Sequence, residues 1–129
     1  MEKISIIYTH WGSNEFRSEI MRKSFWSLIN TTKHLPVEII AVDNGGNRAD
    51  SRFFLALVND NRIQFYLRNS VNLYFGHARN QGFDISCGDY LVFSDNDILY
   101  KDGWLDKSLK ILKNFPDRKI AVTPLRTDR

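Results

Sequence analysis

The sequence predicts one α/β domain, residues 1–129, with a mostly parallel sheet carrying helices on both faces. Three observations support this: short β-branched apolar runs alternate with amphipathic stretches, each run stops at polar residues, and 129 residues suit a single domain. A chain of this length buries roughly two thirds of the surface its unfolded form exposes, enough for a true core.

The first strand is expected over residues 4–8 (ISIIY), ending at Thr9-His10. From Phe16, apolar residues Ile20, Met21, Phe25, Leu28 and Ile29 recur at spacings of three and four, and Pro36 follows, so a helix comes next. Residues 37–42 (VEIIAV) form the second strand, closed by the turn signal Asp43-Asn44-Gly45-Gly46. A helix over 49–59 leads to a third strand at 63–67. Another helix over 76–86, capped by Gly88, leads to a fourth strand at 90–93. Trp104, Leu105, Leu109, Ile111, Leu112 and Phe115 stripe a last helix whose other side shows Lys107, Lys110 and Lys113, a solvated face. A fifth strand is expected at 120–123.

Composition narrows the function classes. Hydrophobic content of 43% and charged content of 26% are those of a globular chain. The single cysteine, Cys87, makes no intramolecular disulfide and reads as a small core residue, and no Cys/His spacing resembles a zinc site. The apolar run at 4–8 is too short for a signal-peptide core, and no stretch approaches the roughly 18 apolar residues of a membrane span. The expectation is a soluble, cytoplasmic protein. A net charge of +3 suits an anionic ligand, or peripheral contact with the inner face of a membrane; no nucleic-acid partner is expected.

In open parallel sheets, ligands bind beyond the carboxyl ends of the strands, where strand order reverses. The expected strand ends are Thr9-His10, Asp43-Asn44, Arg68-Asn69 and Ser94-Asp95-Asn96-Asp97. If residues 95–97 stay extended, Asp95 and Asp97 point to one side, because side chains alternate along a strand. Two carboxylates side by side suit a hard divalent cation, Mn²⁺ or Mg²⁺, which takes one or two carboxylates and completes its shell with phosphate oxygens. An Asp-x-Asp spacing also caps turns and helices, so the tripeptide leaves both readings open. Gly-x-Gly-x-x-Gly and the Gly-x-x-x-x-Gly-Lys-Ser/Thr loop are absent, so a metal rather than a glycine-rich turn would neutralise phosphates. Asp43 either accepts hydrogen bonds from a base or ribose or stabilises its own turn.

Three stretches in order, ISIIYTH, VEIIAVDNGG and NLYFGHARNQGFDISCGDYLVFSDND, resemble the family 2 glycosyltransferases of the GT-A fold. The third is similar to the family pattern Asn-x-Gly-x-x-x-Ala-Arg-Asn-x-Gly, then Gly-Asp-Tyr, then Asp-x-Asp. The resemblance implies a Rossmann-like nucleotide-diphospho-sugar transferase fold and a nucleoside diphosphate sugar, usually UDP-linked, as donor. It implies that Thr9 and Asp43 line the base and ribose pocket. Asp95 would bind ribose or sugar hydroxyls and join Asp97 at the Mn²⁺ or Mg²⁺, with Asn96 between them at the nucleotide sugar. Arg79 either helps hold the nucleotide or makes a structural ion pair; Asn80 and Gly82 serve the local structure. Departures are His10 and Trp11 after the threonine, Leu73 in place of the glycine in NLYFG, and His77 before Ala78. His10 either touches the nucleotide sugar or is solvated; His34 has no expected role.

The resemblance covers residues 4 to about 115 and implies that most of the C-terminal acceptor half is lacking. The family's general base, commonly in a Glu-Asp pair, has no counterpart after Asp97: Asp102, Asp106, Asp117 and Asp128 stand in no matching context. The catalytic base is therefore unknown, and a partner chain or self-association into a homo-oligomer is expected to complete the missing face. The acceptor, whether glycan, lipid or protein, is not specified. A non-catalytic nucleotide-sugar-binding module is the alternative. A nucleotidyltransferase would want a Gly-rich basic loop where YTHWGSNEF stands, and a receiver domain an acidic pair after the first strand.

Overall fold

In the computed structural model, which describes residues 2–12, 14–117 and 119–124, the elements alternate as expected. They are β1 (Ile4–His10), α1 (Glu15–Thr32), β2 (Val37–Asn44), α2 (Arg48–Asn59), β3 (Phe65–Asn69), α3 (Tyr74–Ile85), β4 (Tyr90–Ser94) and α4 (Trp104–Lys113). All pairings are parallel, in the order β3-β2-β1-β4. The chain steps outward from β1 to β3, then crosses back to lay β4 on the far side of β1. The order thus reverses between β1 and β4, and a ligand crevice is expected at that point.

Helices cover both faces. On one, α1 (Met21, Phe25, Leu28, Ile29), α2 (Phe54, Leu57) and α4 (Leu105, Leu109) pack on Ile4, Ile6, Tyr8, Ile39 and Ala41 of the central strands. On the other, α3 presents Ala78 to Ile7, Ile40 and Val42. Close contact there requires Gly82, since a Cβ at that position would stand 2.5 Å from Ile7 Cγ2. The starts of α1 and α2 follow side-chain caps: Asn14 accepts from Arg17 N–H and Asn47 from Asp50 N–H.

Five expectations are corrected. The segment 120–123 forms no strand, because among the described residues nothing ladders with it; an apolar run becomes a strand only when a neighbour takes its backbone groups. The third strand begins at Phe65 rather than at Ile63: Ile63 is drawn into the core, and the Gln64 side chain accepts from Ile39 N–H at 2.7 Å. Gly88 does not cap α3, whose C-cap is Ser86 in extended backbone; a Cβ on Gly88 would stand 2.5 Å from Ser5 N, so the missing side chain instead lets the chain pass close to β1. Cys87 is exposed rather than in the core, with its sulfur 3.2 Å from Lys3 Nζ. Residues 95–97 do not stay extended: β4 stops at Ser94 and the chain turns at Asn96-Asp97. Asp128 lies outside the described residues.

Candidate functional site

At the reversal point the ends of β1, β2 and β4 enclose an open cavity of about 340 Å³. Its lining includes Thr9 and His10 from β1, Asn44 from β2, and Asp95, Asn96 and Asp97 after β4. Loops add Trp11 and Asn72, the first turn of α3 adds Tyr74 and Phe75, and α1 adds Arg17. Asp95 and Asp97 thus reach one cavity through a turn, not through strand alternation.

His10 is buried and holds two elements together. Asn96 Nδ2 donates to the Trp11 carbonyl at 2.9 Å, which orients the amide; the same nitrogen lies 2.9 Å from His10 Nδ1. Nδ1 therefore accepts, and the ring hydrogen sits on Nε2, donating to Asp50 Oδ2 at 2.7 Å. The other oxygen, Asp50 Oδ1, is buried, has no hydrogen-bond partner among the described residues and stands 3.9 Å from Arg22 Nη1. A chain of contacts therefore runs from α2 through β1 to the acidic turn. Gly12 and Gly46 keep it clear: a Cβ on Gly46 would lie 3.2 Å from both His10 Nε2 and Asp50 Oδ2.

Asp43 is fully buried and does not line the cavity. Its Oδ1 accepts from Gly46 N–H at 2.7 Å, and its Oδ2 from Tyr66 OH at 2.6 Å and Arg68 Nη1 at 2.9 Å. Of the two uses open to it, the turn is the one observed. Burial, then the bond to Asp43, pushes the Tyr66 phenol up to about 12. The cavity wall beside it is built by Asn44. That amide donates to Asn72 Oδ1 and the Tyr74 carbonyl, and its oxygen accepts from Leu73 N–H and Asn69.

Arg79 lies behind the acidic turn. Its Nη2 donates to Asp95 Oδ1 at 3.0 Å, and its guanidinium lies over the Phe75 ring at 4.9 Å and the Phe93 ring at 5.8 Å. The structural ion pair is the arrangement observed. Ser94 and Tyr100 share a 2.6 Å hydrogen bond under the same turn; burial foremost, with the charges of Asp95 and Asp97, raises the Tyr100 phenol, so it stays protonated. His77 is exposed, and His34 pairs with Asp106 at 3.0 Å away from the cavity.

Sequence reasoning placed Asn44 at a strand end without giving it a role, and missed Asp50, Asn72 and Tyr74. It also assigned the glycine position to Leu73. The left-handed backbone falls on Tyr74, φ 65°, whereas Leu73 has φ −94°. Counting Asn-x-Gly from Asn72 likewise puts the glycine position at Tyr74.

The sequence profile of Glycosyl transferase family 2 matches residues 13–127, and the chain belongs to that family. It is 28% identical over 130 residues to polypeptide N-acetylgalactosaminyltransferase 8 of Drosophila melanogaster, covering 97% of this chain and 21% of that protein. It is 28% identical over 120 residues to putative polypeptide N-acetylgalactosaminyltransferase 13 of the same organism, covering 87% and 21%. The chain thus spans about a fifth of the curated relatives it matches. Among solved structures, S. aureus TarS 1-349 superposes with a TM-score of 0.71 at 16% identity, over 88% of this chain and 33% of that one. The same TarS fragment in complex with UDP gives 0.69 at 16% identity, over 88% and 33%. These structural likenesses establish a GT-A-type fold.

Proposed function

We propose that this chain is the nucleotide-sugar-binding part of a glycosyltransferase, taking a nucleoside diphosphate sugar, UDP-linked, and passing the sugar to an acceptor hydroxyl. The observation that carries the reading is the convergence of three strand ends on one cavity, acidic on the β4 side and amide- and aromatic-lined on the β2 side. Family membership and the UDP complex of a structural neighbour support it.

Among the described residues, no cluster of three or more His, Cys, Asp or Glu could hold a cation alone. The hard oxygens of Asp97 and Asp95 do match the one or two carboxylates that Mn²⁺ or Mg²⁺ takes beside phosphate oxygens and water. These two residues would hold it. A cation bound there neutralises charge developing on a leaving diphosphate. In this reading Thr9, His10 and Asn96 form the floor, and Asn96, tied to both His10 and Trp11, fixes the acidic turn. Arg79 restrains Asp95. Asp43 acts through Tyr66, Arg68 and the turn that positions Asn44. The exposed thiol of Cys87 supports a reducing compartment such as the cytoplasm.

A second reading keeps the binding and removes turnover by this chain alone. It is favoured by the cavity lining, whose acids among the described residues are Asp95 and Asp97, both committed to the donor, which leaves no further described carboxylate there to deprotonate an acceptor. Thermal unfolding with UDP, with and without Mn²⁺, tests the shared core: a ligand at about 100 times its Kd stabilises by about 2.7 kcal/mol. Release of UDP from a UDP-sugar by the purified chain would separate the two readings in favour of the first. No shift with UDP and Mn²⁺ would overturn both.

A further inference from the structure

The first residue of α3, where the β3–α3 loop ends, is an aromatic one in a backbone conformation that aromatic residues rarely adopt. Among the described non-glycine residues, Asn61 and Tyr74 have positive φ, 58° and 65°. Asn61 follows α2 at a position where asparagine is at ease. A tyrosine there is strained. The strain is held in place by the backbone: Tyr74 N–H donates to Asn72 Oδ1 at 2.8 Å, and its carbonyl accepts from Asn44 Nδ2 at 3.0 Å.

The ring gains little from this. Tyr74 is 76% exposed, so burial does not offset the strain. What the conformation does achieve is to bring Tyr74 into the lining of the cavity. Residues in sparsely populated backbone regions cluster at ligand clamps, where the surrounding structure over-determines them.

The cavity has two chemically different sides. Asp95 and Asp97 occupy one, suited to a metal-bound diphosphate. Asn44, Asn72 and Tyr74 occupy the other, and Asp43, the neighbour of Asn44 in the chain, is buried and bonded to Arg68. An aromatic face beside amide groups is the chemistry that recognises a planar heteroaromatic base, by stacking and by hydrogen bonds to its edge. Resting on the nucleotide-sugar reading, we propose that Tyr74 is a base-contacting specificity residue. The strained loop presents its ring to the nucleobase at a position where the family pattern has glycine and no side chain.

The test is titration of the 129-residue chain with UDP and with inorganic pyrophosphate, both with Mn²⁺, alongside thermal unfolding of wild type, Tyr74→Gly and Tyr74→Phe. Loss of one base–aromatic stack weakens affinity by about 5- to 150-fold. Tyr74→Gly is expected to bind UDP at least about fivefold more weakly, to bind pyrophosphate as wild type does, and to keep or raise its Tm. Tyr74→Phe should retain UDP affinity. Equal UDP binding by wild type and Tyr74→Gly would overturn the inference alone, as would a Tm loss above about 5 °C, which would assign the ring to packing. A wild type that binds UDP no better than pyrophosphate removes the base contact, and one that binds neither overturns the proposed function as well.

Discussion

His10 Nε2 lies 2.7 Å from Asp50 Oδ2, with both side chains fully buried beneath the acidic turn. An aspartate stripped of its histidine would be left buried with Arg22 Nη1 at 3.9 Å as its charged neighbour among the described residues. We therefore expect His10→Ala to destabilise by about 3 kcal/mol or more. The His10→Ala/Asp50→Ala double variant should lose clearly less than the sum of the two single ones. Urea unfolding of the four proteins measures this. Simple additivity would show that the contact does not couple α2 to β1.

Glu38 is buried at the opposite end of the sheet, accepting from Ser5 Oγ at 2.5 Å and Cys87 N–H at 2.8 Å, with Lys3 Nζ at 3.3 Å. Burial pushes its carboxyl up, but the bonds from Ser5, Cys87 and Lys3 outweigh it and hold the carboxyl below the usual 4.5. The folded value lies below the unfolded one, so this stability is complete above the unfolded value and lost as pH falls through the folded one. Glu38→Gln should cost about 2 kcal/mol at pH 7, and the gap from wild type should narrow at acid pH. A gap constant from neutral to strongly acidic pH, in denaturant titrations, would contradict it.

Gly82→Ala tests the packing of α3 on the sheet. The added methyl would meet Ile7 Cγ2, which is itself fully buried. Overpacking of this kind costs about 1–3 kcal/mol. Thermal unfolding should show a lower Tm, and an Ile7→Val change in the same chain should recover part of it. An unchanged Tm would mean that α3 shifts freely over the sheet.

Element type and order were legible in the sequence because periodicity reports which side of an element is buried. Ile6 and Tyr8 face one layer and Ile7 the other, as alternation requires. Pairing is not legible: 120–123 is as apolar as a strand, yet none of the described strands pairs with it. Cysteine composition favours burial, but Cys87 falls in the link before β4, at an exposed rim. At the site, residues adjacent to strand ends were visible by position. Asp50 was not, since its contact with His10 exists only once α2 packs on the sheet. Nor was Tyr74, whose left-handed backbone is held by Asn72 two residues before it and by Asn44, which comes from the end of β2.

The central claim is that the turn after β4 holds a metal-bound nucleoside diphosphate, and calorimetric titration of UDP into wild type and Asp97→Ala, with and without Mn²⁺, tests it most directly. Asp97 is an exposed turn residue lining the cavity, so the variant should keep its fold and its Tm. The account predicts that Mn²⁺ strengthens UDP binding to wild type by tenfold or more, roughly 1.4 kcal/mol, and leaves Asp97→Ala unaffected. Equal enhancement by Mn²⁺ in both proteins would contradict it.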